Sequence, residues 1–152
     1  DGLAGALART VARCIFGFAT ATVIGIGLGL LIARFAALRD MAMPIVNFVR
    51  TLPSSALYPL AAAYPGLGLG ERTALLVIVF GSTWPILLNT VSGISTASPT
   101  AVSASRLLVM TAGQRTLRFT LPEAAPEIFA GVEISAGISF ILTLTAELLG
   151  AG

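Results

Sequence analysis

The sequence predicts an all-α, polytopic membrane protein with about four transmembrane helices. Three observations carry this. Of 152 residues only 11% are charged while 56% are hydrophobic, against about 25% charged in a typical soluble domain. The mean hydropathy is +0.94. Too little polar surface is available to face water, and lipid is the solvent in which apolar side chains can stay exposed. The apolar residues also fall in long runs separated by short arginine-bearing or glycine-rich stretches, as in successive bilayer crossings.

The first crossing is 11–32, whose only charge is Arg13. At 1.5 Å per residue it is about 33 Å long, enough for a hydrocarbon core of about 30 Å. Gly25 and Gly29 are spaced to let another helix approach closely; the alternative is glycine tolerated without a specific partner. The run "GIGLG" is no dinucleotide loop, because no strand precedes it and no polar helix start follows. Arg34, Arg39 and Asp40 make a polar turn. The second crossing, 41–64, holds Arg50 and is interrupted by Pro44, Pro53 and Pro59. Proline kinks a helix interior, and in a membrane the freed carbonyls need protein or water partners. The expectation is an interfacial first half, a break near Thr51-Leu52-Pro53 and an apolar second half. Residues 65–72, "PGLGLGER", form a glycine-rich turn without the Lys-Ser/Thr ending of a phosphate loop. The third crossing is 73–94, with a kink at Trp84-Pro85 and the polar Asn89 near its end. Residues 95–122 are a loop, and 125–149 the fourth crossing, carrying Glu127, Glu133 and Glu147.

The net charge of +2 is carried by nine arginines, with no lysine or histidine. Nucleic-acid binding would call for basic residues clustered on a polar surface, so membrane lipid, not nucleic acid, is the expected surround. The arginines sit at the ends of apolar runs and read as topology signals. Arg34 and Arg39 follow the first crossing; Arg106, Arg115 and Arg118 follow the third, so the two groups share a side. Cytoplasmic loops are enriched in arginine, which places 95–122 in the cytoplasm, with Arg9 and Arg13 as contrary evidence. Within that loop Ala101, Val102, Ala104, Leu107, Leu108 and Val109 follow helical spacing. Pro99 suits a helix start and Ser98 a cap, and Gly113 suits a stop. A short amphipathic helix over 99–112 is predicted, either a connector on the membrane surface or a docking surface for a soluble partner.

Catalysis and metal binding are not expected. The chain has no histidine, one cysteine (Cys14) and no carboxylates clustered at metal-ligand spacing. A carboxylate at the centre of a membrane helix costs about 2.5 kcal/mol or more, so Glu133 needs a partner, and Arg50 is the candidate. The pair is either a structural ion pair or part of a solute path.

Several stretches carry a family likeness. "RTVARCIFGFATATVIGIGLGLLIARF" has a Gly-Phe and a Gly-x-x-x-Gly. "MPIVNFVRTLPSSALYPLAAAYPGLGLG" runs from Arg-x-x-Pro through small residues and a proline to a Gly-x-Gly turn. "WPILLNTVSGI" precedes the loop, and "LPEAAPEIFAGVEISAGISFILTLTAELLGA" ends on Ala-Glu before Leu-Leu-Gly. In register over nearly the whole chain, these resemble the permease subunits of bacterial ABC importers, in the group that takes up nitrate, sulfonates, taurine, bicarbonate and similar compounds. The resemblance implies a type I ABC importer permease-like helical bundle in the bacterial inner membrane. Residues 1–152 would be one transmembrane permease domain, with a further crossing after residue 152 and usually one before residue 1.

The partners it implies are an ATP-binding cassette ATPase subunit, a second permease subunit and an extracytoplasmic substrate-binding protein. ATP and magnesium would sit on the ATPase, with no cofactor or metal on this chain. The 99–113 helix would couple to that ATPase through Ser103, Ala104, Ser105, Arg106, Val109 and Gly113. Arg50, Pro53 and Glu133 would line the path of a small anionic solute. The loop departs from the family signature. Its Glu-Ala-Ala falls on Ser103, Ala104 and Ser105 and its glycine on Val109, while the Leu-Pro end is kept at Leu121-Pro122. Ser103 offers only a short hydroxyl, and Val109 does not readily take positive φ. The loop then bends elsewhere, at Gly113, or docks weakly. Arg106 is either a polar contact to the ATPase or a positive-inside anchor. A heteromeric importer fits these departures, as does a degenerate permease-like structural or regulatory subunit without transport of its own.

Overall fold

A computed structural model describes residues 2–96 and 111–151, and all regular structure among them is helical. Helix α1 is Leu3–Arg34, α2 is Ala36–Val49, α3 is Ser54–Ala62 and α4 is Glu71–Ser95. After residue 111 come α5, Ala112–Arg115, a π-helical stretch Thr116–Thr120, α6, Leu121–Ala146, and a second π-helical stretch Glu147–Ala151. Among the described residues, three segments are long and apolar enough to cross a membrane: Leu3–Arg34, Glu71–Ser95 and Arg118–Gly150.

Helix α4 is the centre of the bundle. One side of it meets a seam of small residues on α1. A Cβ added at Gly17 would stand 2.7 Å from Ile78 Cγ2, one at Gly25 2.8 Å from Ile86 Cβ, and one at Gly29 2.6 Å from Thr90 Cβ. The paired numbers rise together, so α1 and α4 run parallel. The spacing of Gly25 and Gly29 therefore serves close approach of a specific helix, α4. The other side of α4 meets α6 in antiparallel fashion: a Cβ at Gly93 would meet Glu127 and Ala124, and one at Gly131 would meet Asn89 and Pro85. Ser135 Oγ donates to the Ser82 carbonyl at 2.6 Å. Such interhelical hydrogen bonds average about 0.6 kcal/mol in a membrane, so close packing carries most of this contact.

Because α1 and α4 are parallel, the chain between them must return across the bundle. The second crossing, expected to be broken near Thr51-Leu52-Pro53, is made by two short helices, α2 and α3, neither of which spans alone, so three continuous membrane-length helices stand among the described residues where about four crossings were expected. The break falls at 50–53, as the prolines predict. Arg50 N–H donates to the Val46 carbonyl at 3.0 Å and Leu52 N–H to that of Val49 at 3.1 Å, closing α2. Pro53 then stands in extended geometry (φ −67°, ψ 106°) as the residue before α3. The cause is local: proline disfavours helical geometry at the residue before it and offers no N–H of its own. Pro44, Pro59, Pro85 and Pro126 are instead accommodated inside helices. The α3–α4 turn uses Gly66 (φ 90°) and Gly68 (φ 63°), and Thr73 Oγ1 closes it on the Gly68 carbonyl at 2.7 Å.

Two apolar clusters fill the bundle. Tyr58, Ala74, Val77, Ile78, Leu142 and Ala146 occupy one end; Ile32, Val46, Leu87 and Val91 the other. Large apolar side chains also cover the outside, with Val23, Phe129 and Leu148 among the exposed ones, as expected of a lipid-facing surface.

Candidate functional site

The break between α2 and α3 opens a cavity of about 550 Å³ against α4 and α6. Its floor comes from the break itself: Arg50, Thr51 and Ser54. Gly81, Trp84, Pro85, Leu88 and Asn89 of α4 and Ile134 and Ile138 of α6 complete the wall. Along α4 the lining runs from Gly81 to Asn89, from the centre of the helix into its second half. Each polar group has a local reason for its place. Arg50 ends α2 in helical geometry (φ −64°, ψ −18°), and its side chain stays exposed. Thr51 Oγ1 donates to the Phe48 carbonyl at 2.6 Å. Asn89 Nδ2 donates to the Pro85 carbonyl at 2.8 Å, one turn back along its own helix. Trp84 is held edge-on to Phe80, with centroids 5.2 Å apart and planes at 81°. Its indole Nε1 is buried and has no hydrogen-bond partner among the described residues.

The charge in this lining is that of Arg50; none of the ten lining residues is acidic. A guanidinium offers five N–H donors and an indole one. The cavity therefore joins the Arg50 guanidinium to a largely apolar wall, an environment that suits a small group rich in acceptors.

The predicted residues fare differently. Arg50 lines the cavity. Pro53 frames it by ending the break, and is exposed without being part of the lining. Glu133 is exposed on α6 beside Ile134, and no ion pair joins it to Arg50 among the described residues. Ser103, Ala104, Ser105, Arg106 and Val109 lie outside the described residues, as does most of the predicted 99–112 helix. Gly113 is described, and its role as a helix stop is corrected: it lies inside α5. Thr111 N–H donates to Gln114 Oε1 at 3.1 Å, and Gln114 N–H donates to Thr111 Oγ1 at 3.4 Å. This reciprocal capping box starts a helix, and the sequence signal, Thr-x-x-Gln, was present but not used.

Sequence reasoning also missed Trp84 as a lining residue, having read it as half of a kink. It missed a second polar cluster at one end of the bundle. Arg13 is 7% exposed, with its Nη1 3.8 Å from Glu147 Oε1. Thr10 donates to the same carboxylate oxygen. Both charges were visible in the sequence; the antiparallel course of α1 and α6 is what brings them together.

Comparison with known proteins agrees with this architecture. The family described as binding-protein-dependent transport system inner membrane component matches residues 25–152. The nitrate import permease protein NrtB of Synechocystis sp. is 34% identical over 151 residues, covering 99% of this chain and 54% of that protein. The bicarbonate transport system permease protein CmpB of Synechococcus elongatus is 30% identical over 143 residues, covering 94% and 51%. The glycine betaine/carnitine/choline transport system permease protein OpuCD of Bacillus subtilis is 31% identical over 138 residues, covering 91% and 59%. The chain thus spans about half the length of these relatives. With its multiple membrane-spanning helices, it belongs to the binding-protein-dependent transport system inner membrane components, a family of ABC importer permeases.

Proposed function

We propose that this chain is the membrane-spanning subunit of an ATP-driven importer, and that its solute passes the cavity at the α2–α3 break. Residues 1–152 then belong to one permease domain with its coupling loop, 95–122, on the cytoplasmic side. A second permease subunit completes the path, a binding protein delivers solute from outside, and ATP is hydrolysed with magnesium on a separate ATPase subunit. The 99–113 segment, with Ser103, Ala104, Ser105, Arg106, Val109 and Gly113, transmits that subunit's motion, because a rigid contact is what converts closure into rotation of packed helices.

The observation that carries the reading is an arginine at a break in the backbone, beside a membrane-length helix, where a cavity opens. Irregular backbone at membrane depth is tolerated only where it is buried in protein or lines a water-filled space. A small anionic solute is supported by Arg50 and by the lack of any carboxylate in the lining. The relatives' names include nitrate and bicarbonate, both anions, and also choline, a cation, so the reading of an anion rests on the charge of the cavity rather than on the family.

Replacing Arg50 with glutamine in the full-length protein is expected to lower initial uptake of nitrate, bicarbonate or an alkyl sulfonate at least tenfold, or about 1.4 kcal/mol, at an unchanged membrane level. Unchanged uptake of all three rejects the path. In a separate experiment, a tagged full-length copy should co-purify an ATPase subunit, and a Gly-Ser linker in place of 99–110 should abolish this. Retained co-purification rejects the coupling role. The departures at Ser103 and Val109 favour a second reading, a permease-like structural or regulatory subunit, and uptake that is indifferent to both changes would establish it.

A further inference from the structure

We infer that Glu133 of one copy of this chain pairs with Arg50 of a second copy, twice over, across a two-fold axis along the membrane normal. This rests on the reading of the α2–α3 break as lying inside the bilayer.

Depth carries the argument. On α6, a Cβ at Gly131 would lie 2.8 Å from Asn89 Cβ, and Ser135 bonds to the Ser82 carbonyl. Glu133 therefore sits level with the stretch of α4 between Ser82 and Asn89. Arg50 shares its cavity with Trp84, Pro85, Leu88 and Asn89, so it occupies the same level. Both side chains are exposed, and within one chain they form no ion pair among the described residues. A charge at the centre of a bilayer is expensive even by the more lenient insertion scale, so two opposite charges at one depth stabilise each other by pairing.

Symmetry explains why the solution lies between copies. Two copies inserted with the same topology can be related only by an axis along the membrane normal, which preserves depth. A residue that meets another across such an axis is met in return, so one Arg50–Glu133 contact brings its twin. The surface around Glu133 suits a close neighbour. Ala130 and Gly137 lie three before and four after it on the same face, and Ala136 lies one turn on. All three are exposed, and a Cβ added at Gly137 would meet nothing within 4 Å. Small residues of this kind let membrane helices approach. The pair neutralises Arg50 when the cavity holds no solute, and an entering anion displaces the carboxylate. Arg50 thus need not stand uncompensated between transport events.

The test uses two differently tagged full-length copies in one membrane, both on a Cys14→Ser background. One carries Arg50→Cys and the other Glu133→Cys. A guanidinium–carboxylate pair holds its Cβ atoms farther apart than a disulfide permits, so a short bifunctional methanethiosulfonate is the linking reagent. The mixed pair should cross-link between tags at least tenfold more than either variant with itself. No excess, or cross-linking within one chain that carries both cysteines, overturns the pairing, as it would if a different subunit faced Glu133. Where a cysteine variant folds poorly, charge reversal decides: Arg50→Glu or Glu133→Arg alone should reduce recovery of the two-tag complex at least tenfold, and the two changes together should restore it. Failure of the swap to restore recovery also overturns the pairing. Cross-linking requires no transport. Tag pairing with uptake indifferent to Arg50→Gln would sink the solute path alone, and uptake loss without tag pairing would sink this inference alone.

Discussion

Gly25→Val is expected to separate α1 from α4, while Gly27→Val, two residues away, leaves the fold intact. The geometry is asymmetric. A Cβ at Gly25 would stand 2.8 Å from Ile86 Cβ and 3.0 Å from the Thr83 carbonyl oxygen, whereas one at Gly27 meets nothing within 4 Å. The carbonyl belongs to the α4 backbone and cannot swing aside as a side chain could. Overpacking a tight contact costs about 1–3 kcal/mol, and valine's two further methyl groups place this case toward the upper end. At 1.4 kcal/mol per decade, the folded-to-unfolded ratio should fall by about tenfold or more for Gly25→Val, read from unfolding midpoints in detergent. Gly27→Val should match the parent within twofold, since both changes add the same β-branched residue to the same helix. Equal effects at the two positions would show that helix propensity, not the α1–α4 contact, sets the outcome.

The second large effect is expected at the Arg13–Glu147 pair. Arg13's side chain is 6% exposed and that of Glu147 26%, so the arginine is the member less able to reach solvent. Removing one partner of a fully buried pair costs about 3–5 kcal/mol. Here the two charges stand 3.8 Å apart and Glu147 keeps some exposure. Glu147→Leu should therefore destabilise by about 1–3 kcal/mol, and Arg13→Met by less, since the carboxylate keeps its bond from Thr10. The double change Arg13→Met with Glu147→Leu should lie well short of the sum, with a coupling of about 1–3 kcal/mol. Thermal or denaturant unfolding of the four proteins in one detergent measures the cycle; strict additivity would mean that the ion pair contributes nothing.

Much of the helical course was legible because membrane crossings write themselves as apolar length. The runs 11–32 and 73–94 lie inside α1 and α4, and the glycines at 25 and 29 sit where the neighbouring helix presses. The break before Pro53 was legible for a steric reason that needs no tertiary contact. What the sequence hid was relational. A charge's partner depends on depth, and depth depends on which helices run parallel: Arg13 meets Glu147, not a residue close in sequence, and Glu133 does not meet Arg50 of its own chain. The start of the last helical segment was missed for a different reason. Apolar length locates a crossing, whereas the helix begins earlier, where Thr111 and Gln114 cap each other among polar residues. Trp84 was hidden by its neighbour Pro85, which drew the reading toward backbone shape and away from the indole N–H.

The hydroxyls along the α1–α4 contact have a mechanical consequence. Thr20 and Thr22 donate to Phe16 and Phe18 on their own helix, and Thr83 and Thr90 do the same to Val79 and Ile86 on theirs. Between Gly17 and Gly29, no hydrogen bond among the described residues ties α1 to α4. The contact there behaves as a dry bearing: a tilt or short slide exchanges one set of dispersion contacts for another, with nothing directional to rupture. Helices α4 and α6, held by close packing at Gly93 and Gly131 with the Ser135 bond to the Ser82 carbonyl added to it, would move together over that bearing.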